Sequence, residues 1–214
     1  MDAKTQELRE AHDVLAPVYV EHLAHIIDEM PIERAVLGLF RDFIMEADLG
    51  TEVGDIGCGT GRLAPYLASL GLSPSGVDLS PEMIRCARRD YPGFSFNEAD
   101  VRELPYVDAS LAGALGWYSL MYLHPEDRPR AFGELARVVR PGGYLATGYK
   151  MGKGVLRRAS GARAYGVDFD IYWYAPEQMA QMVTDAGFKV VFTAVKPQEP
   201  DELQPQGYLI AQRL

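Results

Sequence analysis

Apolar positions follow two different periods along this chain, and the change comes near residue 50. Before it the period is helical. Leu8, Ala11, Val14 and Leu15 recur at spacings that share one helix face. Pro17 is expected to interrupt that helix, with a second resuming over residues 18–28 through Leu23, Ile26 and Ile27. Pro31 suits the first turn of a third helix, which carries Val36, Leu37, Leu39, Phe40, Phe43 and Ile44 and stops before Gly50.

Past residue 50, short apolar runs alternate with amphipathic stretches. Strands are expected at 51–56, 75–79, 94–97, 111–117 and 144–149, with helices at 62–70, 81–89 and 125–139 between them. Ser80 is placed to N-cap the second of these helices, with Pro81 at its first position. A helix at 176–186 precedes two last strands, 189–195 and 208–213. Repeated strand–helix units imply a doubly wound α/β fold, a mostly parallel sheet with helices on both faces. The last connection, 196–207, holds three prolines and no helical pattern, so the final strands are expected to form an antiparallel hairpin. Residues 1–214 are read as a single domain, with 1–50 as an N-terminal helical cap or lid, 51–214 as the core and 150–174 as a lid segment on the substrate side.

Composition narrows the partners. Of 214 residues, 48% are hydrophobic and 24% charged, ordinary for a globular chain. A net charge of −9 lacks the basic footprint of phosphate-backbone binding, so no nucleic-acid partner is expected. Arg85, Arg88 and Arg89 sit beside Glu82 and Asp90 and read as a solvated helix face. Cys58 and Cys86 form neither a disulfide framework nor a metal cluster, and reduced thiols in a cytoplasmic protein are expected. The polar start of the chain has no signal-type apolar run, and no stretch approaches the roughly 20 apolar residues that span a bilayer.

In such sheets ligands bind beyond the carboxyl ends of the strands. The first strand runs into Asp55-Ile56-Gly57-Cys58-Gly59-Thr60-Gly61-Arg62. Gly57, Gly59 and Gly61 permit positive φ and close ligand approach, and amides of the next helix are expected to face the ligand. Arg62 stands where a dinucleotide pattern needs glycine. Asp55 can accept from a cationic ligand group. Asp78, ending the second strand, can accept both hydroxyls of a ribose. Leu79 and Met83 offer an apolar wall for a purine. Asp100, after the third strand, can accept from an exocyclic amine while the Val101 amide donates to a ring nitrogen. The fourth strand ends in Trp117-Tyr118, aromatic residues at the mouth of the site.

These motifs, with Arg137-Val138-Val139-Arg140-Pro141-Gly142-Gly143 after them, resemble the class I S-adenosylmethionine (SAM)-dependent methyltransferases, in the right order over about residues 52–148. The resemblance implies a seven-stranded sheet and SAM as cofactor, with S-adenosylhomocysteine (SAH) as product. It implies that Asp55, Gly57 and Gly59 line the methionyl part, Asp78 holds the ribose, and Asp100 and Val101 hold the adenine. The run after the fourth strand is similar to a small-molecule branch in which an N-terminal segment folds over the cofactor, which nominates Tyr19. No Asn-Pro-Pro-Tyr-type motif follows that strand, which argues against base or glutamine substrates.

A sulfonium methyl is already activated, so methyl transfer needs alignment and exclusion of water, and a base only for a protonated nucleophile. His124 is the first candidate base, ahead of His22, His25 and Tyr122. Substrate contacts are expected from Tyr122 and from Arg157, Tyr172 and Trp173 in the lid segment; no metal is implied. Two other readings stand beside this one: a non-catalytic SAM-binding module, and a nicotinamide-dependent oxidoreductase using Tyr149 and Lys153 at Y-x-x-x-K spacing.

Overall fold

The most apolar strand, β4 (Leu111–Trp117), is buried along its whole length, as a strand covered on both faces must be. In the computed structural model the described residues are 2–23, 26–152, 162–200 and 202–214, with the backbone alone for 154–157. Strand β1 (Glu52–Ile56) pairs parallel with β4 on one side and with β2 (Ser73–Asp78) on the other. Strand β3 (Ser95–Glu98) continues outward from β2, and β5 (Val139–Lys150) lies beside β4. The chain closes with β8 (Phe188–Lys196) and β9 (Gln206–Arg213), after a two-stranded hairpin of β6 (Gly154–Arg157) and β7 (Asp170–Trp173). The main sheet has seven strands in the order β3-β2-β1-β4-β5-β9-β8. Strand β9 is antiparallel to both β5 and β8, so the last strand inserts between the fifth and its own hairpin partner.

Helices cover both faces. On β9, Tyr208 and Ile210 pack with Leu37, Phe40 and Ile44 of α2 (Pro31–Ala47), while Leu209 and Ala211 pack with Leu135 of α5 (Arg128–Val138) and Met179 of α6 (Pro176–Asp185). This alternation is the period of two that a strand buried on both faces shows. Helices α3 (Ala64–Ser69) and α4 (Pro81–Asp90) connect β1 to β2 and β2 to β3. Among the described residues no helix is long and apolar enough to cross a membrane.

Several boundaries differ from the sequence reading. Helix α1 (Ala3–Leu23) runs straight through Pro17, and a short 3-10 turn, Ile26–Glu29, replaces the expected second helix. Pro17 supplies no amide to the carbonyl four residues back. Burial of Ala11, Leu15 and Ala16, the last against Met83 and Cys86 of α4, keeps the helix intact across that gap. Helix α3 starts two residues later than expected, because the glycine turn extends through Gly61. Strand β5 begins at Val139 and carries Pro141-Gly142-Gly143 within it, where the ladder with β4 shifts register. The segment expected as a lid loop contains the β6–β7 hairpin.

Candidate active site

The carboxyl ends of β1, β2 and β4 open on one cavity of about 390 Å³, roofed by α1 and by β7 of the small hairpin. Its floor is the turn after β1. Gly57, Gly59 and Gly61 all have positive φ, at 76°, 55° and 76°. A Cβ on Gly57 would stand 2.3 Å from that of Ser119, so glycine is required where the two turns meet. The amides of Gly57 and Cys58 both donate to the Val77 carbonyl, at 2.8 and 2.9 Å, and that of Gly59 to Asp78 Oδ2 at 2.8 Å. These amides therefore pin the turn to β2.

Asp78 accepts a second amide, from Ser80 to Oδ1 at 2.9 Å. Both its oxygens are thus held, and each keeps lone pairs for further donors. Burial pushes its carboxyl above the usual range, opposed by those two amides and by His12. Asp55 is buried at the end of β1, and burial raises its carboxyl to about 7, with Arg62 pulling down and Asp78 pushing up. Burial lowers the Arg62 guanidinium, which lies in the field of Asp55, Tyr19 and Tyr118. Arg62 lines the cavity and has no hydrogen bond or ion pair among the described residues.

Tyr118, Lys150, Glu202 and Gln206, also in the lining, join a polar network. Tyr208 donates to Glu33 at 2.6 Å, and the Tyr118 hydroxyl donates to Gln206, which in turn donates to Glu202. Glu202 pairs with Lys196 at 2.8 Å, and the Lys150 ammonium lies 5.4 Å over the Tyr118 ring. Tyr118 takes φ 56°, an uncommon backbone for a bulky residue, which turns its ring from the end of β4 toward this network.

Sequence comparison places this geometry among known proteins. Residues 53–143 match the family described as methyltransferase domain. The malonyl-[acyl-carrier protein] O-methyltransferase of Pectobacterium atrosepticum is 36% identical over 103 residues, 48% of this chain and 40% of that protein. The demethylmenaquinone methyltransferase of Chlorobaculum parvum is 31% identical over 140 residues, 64% and 56% of the two chains. The magnesium protoporphyrin IX methyltransferase of Synechocystis shares the fold at a TM-score of 0.71 and 16% identity, covering 100% of this chain and 99% of that one. The chain thus has a methyltransferase-domain match over residues 53–143 and shares the class I methyltransferase fold. It spans about half the length of the curated relatives it matches.

The fold gathers most of the sequence-nominated residues around the cavity: Asp55, Gly57, Gly59, Asp78, Leu79, Met83, Asp100, Val101, Trp117, Tyr118 and Tyr19, with Tyr122, His124 and Tyr172. Gly61 is not in the lining; a Cβ there would meet Phe96 Cζ at 2.7 Å and Ala87 Cβ at 2.9 Å, so its role is packing. Trp173 is also outside, packed over Gly152. The Arg157 side chain, His25 and Lys153 fall outside the described residues. His22 is exposed at the end of α1 and is not in the cavity lining. Tyr149 is buried in β5, not on the helix that the Y-x-x-x-K reading requires.

Asp100 lines the cavity, but its carboxylate is already clamped by Arg102, whose Nη2 donates at 2.6 Å and Nε at 3.0 Å. This limits the expected reach to an exocyclic amine to the lone pairs Arg102 leaves open. The same guanidinium reaches Asp2, Thr5 and Asp127, so it ties the start of α1 to the loop after β3.

The fold also draws in a residue that the sequence reading passed over. His12 lines the cavity, and its Nδ1 sits 2.9 Å from the Leu8 carbonyl. A carbonyl only accepts, so Nδ1 carries a hydrogen. Its ring lies 5.0 Å from Tyr122 and 5.1 Å from Phe169. The signal was present: positions 8, 12, 15 and 19 share one face of α1.

Proposed function

We propose that this chain is a SAM-dependent methyltransferase that methylates a small molecule. The observation that carries the reading is the cavity wall itself. A glycine turn, a twice-anchored Asp78 and the Asp100-Val101 pair stand at successive strand ends on one side of a single cavity. The wall suits the cofactor chemically. Asp78 accepts hydroxyls, Met83 and Leu79 give an apolar surface, and Asp55 with Arg62 provides one anionic and one cationic group. SAM supplies a methyl already activated on a sulfonium. The residues of this chain then have to orient the acceptor and exclude water.

The relatives support the acceptor class, since their names specify an acyl-carrier-bound malonyl group, a quinone and a porphyrin. In this chain the acceptor side is the wall of His12, Tyr122, His124 and Tyr172 facing the strand ends. His12 and His124 are the two imidazoles there and the candidates to take a proton from a protonated nucleophile.

Calorimetric titration with SAM, SAH and NAD tests the reading. Micromolar binding of the two sulfur ligands, lost in Asp78→Ala, is the expected result. Binding of NAD alone, or of none of the three, would sink it.

A further inference from the structure

Two residues of the cavity lining that the sequence does not nominate, Lys150 and Gln206, stand directly opposite each other in the β5–β9 ladder. Their side chains therefore leave the sheet on the same side. The acids beside them are already answered. Glu33 accepts from Tyr208, and Glu202 accepts from Lys196 at 2.8 Å, from the Glu199 amide at 3.1 Å and from Gln206. What this corner offers a ligand is donors. The Tyr118 hydroxyl gives its hydrogen to the Gln206 carbonyl, which fixes the direction of that amide. The amide nitrogen carries two hydrogens, and Glu202 takes one of them. Lys150 adds an ammonium, 5.4 Å over the Tyr118 ring. An ammonium has three donors, so one partner does not exhaust it. Burial pushes the Tyr118 phenol up, so that ring stays neutral and adds no negative charge. Met30 and Leu63, also in the lining, pack in the same apolar cluster as Tyr118. A cation and an amide donor beside an apolar wall match an organic anion.

We propose that Lys150 and Gln206 form a subsite for a carboxylate on the methyl acceptor, so that the acceptor is an organic acid with an apolar body. The inference rests on the SAM reading above and narrows its acceptor class. Hydrogen bonds from an ammonium to a carboxylate are among the stronger ones a protein makes. Two paired strands hold both donors at a set spacing, which places a site more firmly than a loop does. Gln206 is braced at both ends of its amide, by Tyr118 and by Glu202, so little side-chain freedom is lost when it grips a ligand.

Two probes of matched shape separate recognition of the charge from simple burial: 4-hydroxycinnamate and 4-hydroxycinnamamide, each titrated calorimetrically into protein saturated with SAH. The wild-type protein is expected to bind the acid roughly tenfold or more tightly than the amide. Lys150→Met should bind the two within about twofold of each other. Its SAH affinity should stay within about twofold of wild type, which also reports that the variant is folded. Lys150→Arg, which keeps the charge, should keep the preference for the acid. Equal affinity of the wild-type protein for the two probes, or no binding of either, overturns the proposal. So does a Lys150→Met protein that still prefers the acid. So does one that loses SAH affinity along with the acid, since Lys150 would then serve the cofactor or the fold. Wild-type protein that does not bind SAH overturns the cofactor reading itself, a result read in the SAH titration before either probe is added.

Discussion

Asp55 shows how far one carboxylate can be moved by its place at a strand end. Its carboxyl is raised from 3.8 to about 7 by burial, with Arg62 and Asp78 as the charged groups facing it. Between those values the folded protein keeps the proton while the unfolded chain has lost it. The unfolded state then binds fewer protons, so this group's contribution makes stability fall as pH rises from about 4 to about 7 and level off above. The slope amounts to a few kcal/mol at most, on the order of 1.4 kcal/mol per unit. Asp55→Asn should flatten it, as read from denaturant unfolding at pH 5 and pH 8. Pairing with a ligand ammonium needs the ionised form. SAH affinity should therefore weaken as pH falls below about 7, and calorimetry that finds it unchanged from pH 8 to pH 5.5 would show that Asp55 does not hold a ligand ammonium. At this scale the sequence was legible where position alone decides. Asp55 and Asp78 lie at the ends of strands and Asp100 just after one, and strand ends are where ligands bind. Arg102 was not legible, because its partners Asp2, Thr5 and Asp127 lie on other elements. Arg62 could be read only as a departure from a glycine pattern.

Among the elements, α1 departs furthest from its sequence reading. Local propensity breaks it at Pro17; packing on α4 carries it through. Asp13 is part of that docking. Its Oδ1 accepts from the Ser80 hydroxyl at 2.5 Å and from the Glu82 amide at 3.2 Å, so α1 caps α4 from outside the helix. Ser80 in turn accepts from the Met83 amide at 3.0 Å, the N-cap that the sequence suggested. Asp13→Ala should cost about 1–2 kcal/mol in urea unfolding and speed amide exchange across α1. Asp13→Asn, which keeps an acceptor, should recover part of the loss. An alanine variant with wild-type stability and exchange would show that α1 is held by its apolar face alone. The strands, by contrast, were placed within a few residues, because a period of two over a buried run leaves little choice. The exceptions are instructive. Strand β7 has four residues, and its pairing with β6 comes from a partner thirteen or more residues away, which no local pattern announces.

For the molecule as a whole, the strand order decides what the cavity is. Inserting β9 between β5 and β8 brings Gln206, the first residue of β9, to the same edge as the ends of β1 and β4. The polar network of Tyr118, Gln206 and Glu202 exists only because of that reversal. Helix α1 then spans the cavity, fastened by Arg102 at its start and by Lys4 to Asp170 of β7 at 3.2 Å. Ligand binding under such a roof should stabilise the roof along with the sheet. At a hundred times its Kd, SAH should add about 2.7 kcal/mol and raise the Tm by roughly 5–10 °C. Hydrogen exchange should slow in α1 as well as in the turn after β1, and NAD should do neither. Protection confined to the turn would mean that α1 does not close over the ligand. The sequence by itself determined the alternation of strands and helices, the terminal antiparallel pair, the glycine turn and the acids at three strand ends. Each of these is written in local periodicity or in a few adjacent residues. Tertiary structure alone decided that α1 survives its proline, that Arg102 takes hold of Asp100, and that Arg62 and His12 face the cavity. Those outcomes depend on burial and on charges brought together from distant parts of the chain, and both are properties of the packed molecule.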